Sequence, residues 1–385
     1  MIPYSRQSIS TEDIEAVVSV LESDFLTQGG RVEDFEQAIS DQVSADHAIA
    51  FNSATSALHC ACLALGISDR ETAWTVPNTF VASATCSLLS GGKVDFVDID
   101  PTTWNISIQQ LRDKLISAKK NDSLPRVLIP VHFGGQPTDQ EEIWELSKEF
   151  GFGVIEDASH SLGASRNQEP VGSCRWSDIT VFSFHPVKGI TTGEGGMAVT
   201  QHKELSTQLR LLRSHGITRE LIDPSISARE PWRYEQVSLG YNYRLCDINA
   251  ALGLSQLKQL PMFLDKRRQI ANNYDHLLQS LPLQLPVSLS QSRSAWHLYP
   301  IRINTQVTGV GRREVHLALK QKNIETTVHY HPVHLQPFFK QLGYSLGDFP
   351  ESEAHGNEAL SIPIHPNLSN QQQNYISQTL IGLFQ

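Results

Sequence analysis

Long apolar runs are missing from this chain. Within its 385 residues no uninterrupted stretch approaches the ~18 needed to span a bilayer. The opening Met1-Ile2-Pro3-Tyr4-Ser5-Arg6 has no apolar core of a secretory signal, so a cytosolic protein is expected. Cysteine is scarce and odd in number: Cys60, Cys62, Cys86, Cys174 and Cys246. No CxxC and no Cys/His ligand spacing occurs, which argues against a disulfide framework and a zinc site, and no metal is expected. Free thiols in a reducing compartment fit instead. Neither G-x-G-x-x-G nor G-x-x-x-x-G-K-[S/T] is present, which removes a dinucleotide fingerprint and a phosphate-binding P-loop. Positive charge is in deficit: 31 Lys and Arg stand against 41 Asp and Glu, a formal net charge of −10. With no basic recognition segment, nucleic acid and anionic membrane are poor partners. Internal repeats and low-complexity tracts are also lacking.

What is present is an ordinary globular composition, 40% hydrophobic and 19% charged, long enough for two domains or one large α/β unit. One stretch organises the rest. Val181, Phe182 and Phe184 are apolar and β-prone, and Pro186 breaks the strand into a loop. Lys188 stands in that loop, followed by a run of Thr and Gly, and residues 197–200 form a second apolar strand. A lysine displayed between two buried strands, among small residues that leave room for a ligand, suits a Schiff-base lysine. A solvated loop lysine fits the local pattern equally well.

Strand then helix recurs along residues 48–200, which predicts a mainly parallel sheet with helices on both faces, an α/β fold. Strand 48–51 turns through Asn52-Ser53-Ala54-Thr55-Ser56 into a helix over about 57–65. Hydroxyl residues at a strand-to-helix turn make an anion seat, because the first helical N–H groups are unpaired and the dipole favours negative charge. They are as readily plain N-caps. A second strand ends at Pro77; Asn78 or Thr79 is expected to cap a helix over 81–89, and Phe80 sits where α/β sheets bind ligands. Phe80 can stack on a flat ring or fill the core. Strand 153–157 closes on Glu156 and Asp157, one of which is expected to face a buried site or to cap the next turn.

Residues 220–235 read as a polar loop. A long helical stretch follows Gly240-Tyr241-Asn242-Tyr243-Arg244, and Pro261 is expected to interrupt it. The division is expected there: a large domain over 1–258, and a smaller α+β domain over 259–385 with strands near 297–303 and 325–330.

An anion seat (Ala54, Thr55, Ser56), an aromatic (Phe80), an acid (Asp157) and a lysine (Lys188) are the parts that hold pyridoxal 5′-phosphate. The helix start takes its phosphate, the aromatic its ring, and the carboxylate keeps its ring nitrogen protonated. The motifs Asn52-Ser53-Ala54-Thr55-Ser56-Ala57-Leu58-His59, Pro77-Asn78-Thr79-Phe80, Glu156-Asp157-Ala158-Ser159-His160, Ser183-Phe184-His185-Pro186-Val187-Lys188, Gly193-Glu194-Gly195-Gly196 and Gly240-Tyr241-Asn242-Tyr243-Arg244 occur in this order. Together they resemble the DegT/StrS-type family of nucleotide-sugar aminotransferases dependent on that cofactor, over nearly the whole chain.

The resemblance implies fold type I and a homodimer with shared active sites. It also implies Lys188 as the Schiff-base lysine, Asp157 as partner of the pyridine nitrogen, and Ala54, Thr55, Ser56 and Ser183 at the phosphate. Phe80 would stack on the ring, His160 would lie near the phenolic oxygen, and Asn242 would reach the other subunit's cofactor. Ile2-Pro3-Tyr4-Ser5, residues 23–29 and residues 328–337 are similar to the pseudaminic-acid-pathway subgroup. That similarity implies transfer of the amino group of L-glutamate to C4 of a UDP-linked 4-keto-6-deoxy amino sugar. Tyr4, Phe25, Thr27, Tyr330 and His331 become substrate candidates, and Arg31, Arg219 and Arg244 candidates for the diphosphate. His329 and His334 read as structural. Gly30, where proline is expected, and His331, where an apolar residue is expected, depart from the subgroup. The D-xylo C5 epimer is the alternative sugar, and a non-catalytic cofactor-binding regulator the alternative class.

Overall fold

The structure, a computed structural model, describes residues 1–219 and 229–384. Its centre is a seven-stranded sheet. In spatial order the strands are His47–Phe51, Gly196–Thr200, Ile179–Ser183, Gly153–Asp157, Val127–Leu128, Thr72–Thr75 and Lys93–Phe96. Gly196–Thr200 runs antiparallel to both its neighbours, and the other pairs are parallel. The reversal follows from the loop over 184–195, which returns the chain beside the strand it has just left.

Alternate residues of these strands face opposite ways. Ala48, Ala50, Phe182, Met197 and Val199 pack under helix Gly30–Val43 with Phe35, Ile39 and Val43. Ile49, Phe51, Val181 and Ala198 pack under helix Ala54–Ala64 with Leu58 and Ala61. Helices thus cover both faces, the mixed α/β architecture expected from the sequence.

Helix Asp247–Leu278 continues through Pro261, so the expected interruption does not occur. Proline inside a helix costs about 3 kcal/mol. Leu260 and Leu264, buried against the sheet's core, offset it. Further along, Ile270, Tyr274 and Leu278 join a second core with Tyr299, Ile301, Leu360 and Ile376. One helix therefore spans both cores, and residues 258 and 259 fall within it.

The second core is built on an antiparallel pair, Tyr299–Arg302 with Ala359–Ile362. The strand expected at 325–330 is reduced to a single bridge, Thr327 with Ser361. Tyr330 N–H instead donates to Asn78 Oδ1 at 3.2 Å, which ties this segment to the first core. Within the loop expected at 220–235, residues 220–228 lie outside the described residues; Glu235–Gln236 pairs with Ile217–Thr218. Among the described residues no helix is long and apolar enough to cross a membrane.

Candidate active site

Parallel strands bring their carboxyl ends to one edge, and the segments that leave them enclose a cavity of about 520 Å³. Ala54, Thr55, Phe80, Asp157, His160, Ser183 and Lys188 all line it. Tyr4, from the start of the chain, and Tyr330 line it as well.

The helix start forms where Ser53 turns extended (φ −163°) and its Oγ accepts from Ser56 N–H at 3.1 Å. Helix therefore begins at Ala54, three residues earlier than its apolar pattern indicates, which places the unpaired amides of the first turn at the cavity. Gly196 makes this possible. A Cβ there would stand 2.4 Å from Ala54 N, so only glycine lets the strand pass so close to the helix start. Ser56 does not line the cavity; its hydroxyl donates to Asn52 Oδ1 at 2.6 Å.

Asp157 is buried and well supplied with donors. Ser83 Oγ donates to Oδ2 at 2.6 Å, and Ser159 N–H and Oγ donate to Oδ1 at 3.1 and 2.6 Å. Bonds of this kind offset the cost of burying a carboxylate. Glu156, its neighbour on the strand, is also buried on the opposite face, where Thr180 Oγ1 donates to it at 2.7 Å. Both acids are thus held in place, and Asp157 is the one at the cavity. Neither Asn78 nor Thr79 caps the following helix, which begins at Ala82 with no side-chain cap; Thr79 Oγ1 pairs with Ser83 Oγ at 2.7 Å instead.

Phe80 is 59% exposed although it is a large aromatic, so it is not a core residue. Its open ring on a cavity wall is suited to stacking. Burial lowers the Lys188 amine to about 8, against the opposing pull of Asp157. His160 is buried, with its ring 4.3 Å from that of His297. Burial, then the Lys188 charge, holds its imidazole well below the usual range.

The remaining expected residues lie elsewhere. Phe25 and Thr27 are exposed on the turn between helices Thr11–Leu21 and Gly30–Val43, outside the cavity. His331 is exposed and does not line it, and Asn242 is exposed beside Ser214. Arg31 pairs with Asp34 at 3.3 Å on the surface, Arg219 is exposed, and among the described residues no arginine, Arg244 included, lines the cavity. His334 is paired with Glu353 at 3.0 Å, as a structural histidine would be. His329, read as structural, lines the cavity, as do His297 and Glu194, which the sequence did not single out. Ser83, which donates to Asp157, was not singled out from the sequence; a hydroxyl residue at the start of the helix that follows Phe80 is the signal that could have found it.

Residues 7–381 match the DegT/DnrJ/EryC1/StrS aminotransferase family. The chain belongs to this family. It is 36% identical to the UDP-4-amino-4,6-dideoxy-N-acetyl-beta-L-altrosamine transaminase of Campylobacter jejuni over 388 residues, covering 100% of this chain and 98% of that one. It is 38% identical to the spore coat polysaccharide biosynthesis protein SpsC of Bacillus subtilis over 372 residues, 96% of this chain and 93% of that one. Among solved structures, PseC of Helicobacter pylori, an aminotransferase of pseudaminic acid biosynthesis, superposes with a TM-score of 0.89 at 33% identity, covering 100% and 99% of the two chains.

This family member is a sugar aminotransferase dependent on pyridoxal phosphate. The cavity's donor set fits that cofactor. It offers helix-start amides for a phosphate, an open aromatic face for a flat ring, a buried carboxylate for a ring nitrogen, and an amine of lowered basicity for an aldehyde.

Proposed function

We propose that this aminotransferase moves the amino group of L-glutamate to C4 of UDP-2-acetamido-2,6-dideoxy-β-L-arabino-hexos-4-ulose. The product is UDP-4-amino-4,6-dideoxy-N-acetyl-β-L-altrosamine. The observation that carries the proposal is the end-to-end similarity to the transaminase named for that sugar. Comparable identity to a protein named for spore coat polysaccharide biosynthesis, a different product, supports a second reading: amination of another nucleotide-linked keto sugar.

Pyridoxal phosphate supplies an aldehyde that carries the amino group and a ring that accepts electrons from the substrate carbon. The chain does the rest. Ala54, Thr55 and Ser183 hold the phosphate, Phe80 the ring face, and Asp157 the ring nitrogen. Lys188 Nζ would hold the aldehyde end of the group, and as a free amine it would take a proton from the substrate carbon and return it. A value near 8 keeps part of that amine neutral at physiological pH. His160 and Tyr330 fix the ligand's orientation from the opposite wall.

The working unit is a homodimer. Glutamate and a UDP-sugar both bring negative charge, yet among the described residues Lys188 is the one Lys or Arg side chain lining the cavity. Cations from a second copy complete the site, and Asn242 reaches across with them. Ile14, Val18 and Leu21 of the first helix and Phe25 and Leu26 of the turn after it are exposed apolar side chains that such a contact would cover.

The test is a half-reaction. Glutamate should bleach the visible absorbance of the loaded enzyme, and after removal of glutamate the L-arabino keto sugar should restore it. Restoration by the D-xylo sugar alone would keep the chemistry and replace the substrate. Failure of glutamate to bleach the absorbance would remove glutamate as the donor.

A further inference from the structure

The hydrogen bonds around His160 run in one direction. Gly134 N–H donates to His160 Nδ1 at 3.3 Å, so Nδ1 presents a lone pair. A neutral imidazole whose Nδ1 accepts carries its proton on Nε2. The ring is neutral because burial and then the Lys188 charge oppose its protonation. Nε2 lies 3.3 Å from Tyr330 Oη, so Nε2–H donates and the phenol oxygen accepts. Tyr330 keeps its own proton, since burial and then the Asp157 charge raise its phenol above the usual range. No second hydrogen-bond partner of Tyr330 Oη is found among the described residues, and Tyr330 lines the cavity.

The turn that starts this chain is held on several sides. Gly135 has φ +98°, and a Cβ there would stand 2.8 Å from Trp296 N and 3.0 Å from His160 O. Ala295 N–H donates to Gly135 O at 3.0 Å, and Leu298 N–H to Gly134 O at 3.2 Å. Behind the turn, Thr138 N–H donates to His132 Nδ1 at 3.0 Å. At the other end, Asn78 Oδ1 holds the Tyr330 amide at 3.2 Å.

We propose that Gly134, His160 and Tyr330 form a one-way hydrogen-bond relay that presents the Tyr330 O–H as a donor to a carbonyl-type oxygen of the substrate. Tyr330 is then a substrate-binding donor, His160 sets its polarity, and the 134–135 turn positions His160. The binding half of this inference rests on the transaminase reading. The direction of the relay does not.

The first arm is nitrogen NMR of the ¹⁵N-histidine-labelled protein, with His160→Gln used to assign the signal. The cofactor-free and the loaded protein should both give a bare Nδ1 and a protonated Nε2 at His160. A proton on Nδ1, in either form, overturns the relay. The second arm is kinetic. Tyr330→Phe should raise KM for the keto sugar about 3- to 10-fold, the loss of one hydrogen bond, while kcat falls less. His160→Gln, whose amide N–H stands near the Nε2 position, should keep KM closer to the parent value than His160→Asn. A fall in kcat with KM unmoved, or equal effects of the two His160 variants, overturns the donor role. If the unaltered enzyme aminates no keto sugar, the functional reading fails, and the nitrogen spectrum still decides the direction of the relay.

Discussion

Ser83 Oγ lies 2.6 Å from Asp157 Oδ2, with Thr79 Oγ1 a further 2.7 Å behind it. The two hydroxyls belong to the loop and first turn that also carry Phe80. The acid and the aromatic, 77 positions apart in numbering from Phe80 to Asp157, are therefore locked to each other by a serine between them. Ser159 closes the other carboxylate oxygen. The acid is oriented by its own chain before any cationic ligand arrives.

Removing the serine should be costly. Ser83→Ala takes one donor from a buried charged acceptor, and a loss of about 1.5–3 kcal/mol is expected. Urea denaturation of the cofactor-free protein measures it. An unchanged midpoint would mean that Ser83 does not hold Asp157.

Cofactor uptake should follow the Lys188 amine. Burial lowers it from 10.5 to about 8, and the neutral amine is the form that attacks an aldehyde. Raising the pH through 8 therefore increases the reactive fraction. The rate at which visible absorbance develops on mixing cofactor-free protein with pyridoxal phosphate should rise between pH 7 and 9 and then level. An inflection near 10.5 instead would place the amine in solvent.

Replacing that lysine should remove the chemistry without removing the fold. Lys188→Met is expected to lower turnover at least about 10²- to 10⁴-fold, the range for a lost acid–base group. Because the amine is buried, the variant should melt no lower than the parent. A Lys188→Met protein with near-parent turnover would disprove the assignment.

The second helix should accept proline at its start. Gly30 is its first residue, with nothing within 4 Å of where a Cβ would be, and a first helical residue's amide has no partner within its own helix. Proline is preorganised for that position, so Gly30→Pro is expected to stabilise by about 0.4–1 kcal/mol. Thermal melting checks it. A lowered midpoint would indicate that glycine is needed there.

The same helix is capped from far away. Gly29 offers no side chain, and the Asp247 carboxylate accepts from Gly29 N–H at 2.7 Å, Arg31 N–H at 2.9 Å and Val32 N–H at 3.3 Å. Asp247→Ala should cost about 1–2 kcal/mol, as a lost N-cap does. Hydrogen exchange at residues 29–32 should speed up; if it does not, the cap is not what protects them.

Much of the site was legible because its parts are local. A strand, a turn with small hydroxyl residues and a helix start are adjacent in the chain, so Ala54 and Thr55 could be placed from spacing, whereas Ser56, expected with them, turns back onto Asn52. Lys188 stood out between two apolar strands, and Asp157 at the end of a third. Parallel order then put all three at one edge, since strands that run the same way end on the same side. Phe80 was ambiguous between stacking and core until its exposure was known.

What the residues determined by themselves was the element order, the sheet's mainly parallel sense, and the lysine, acid and helix start that the sheet's edge would assemble. Only the tertiary structure decided what faces them. His160 and Tyr330 meet across 170 positions, and Asp247 caps a helix 218 positions away. His297 and His329 reach the cavity from segments after the long helix, and helix Asp247–Leu278 ignores its proline because both cores pack on it. Those contacts depend on how two hydrophobic cores dock, and that docking is fixed by side chains spread over the whole chain. No periodicity or short motif records it.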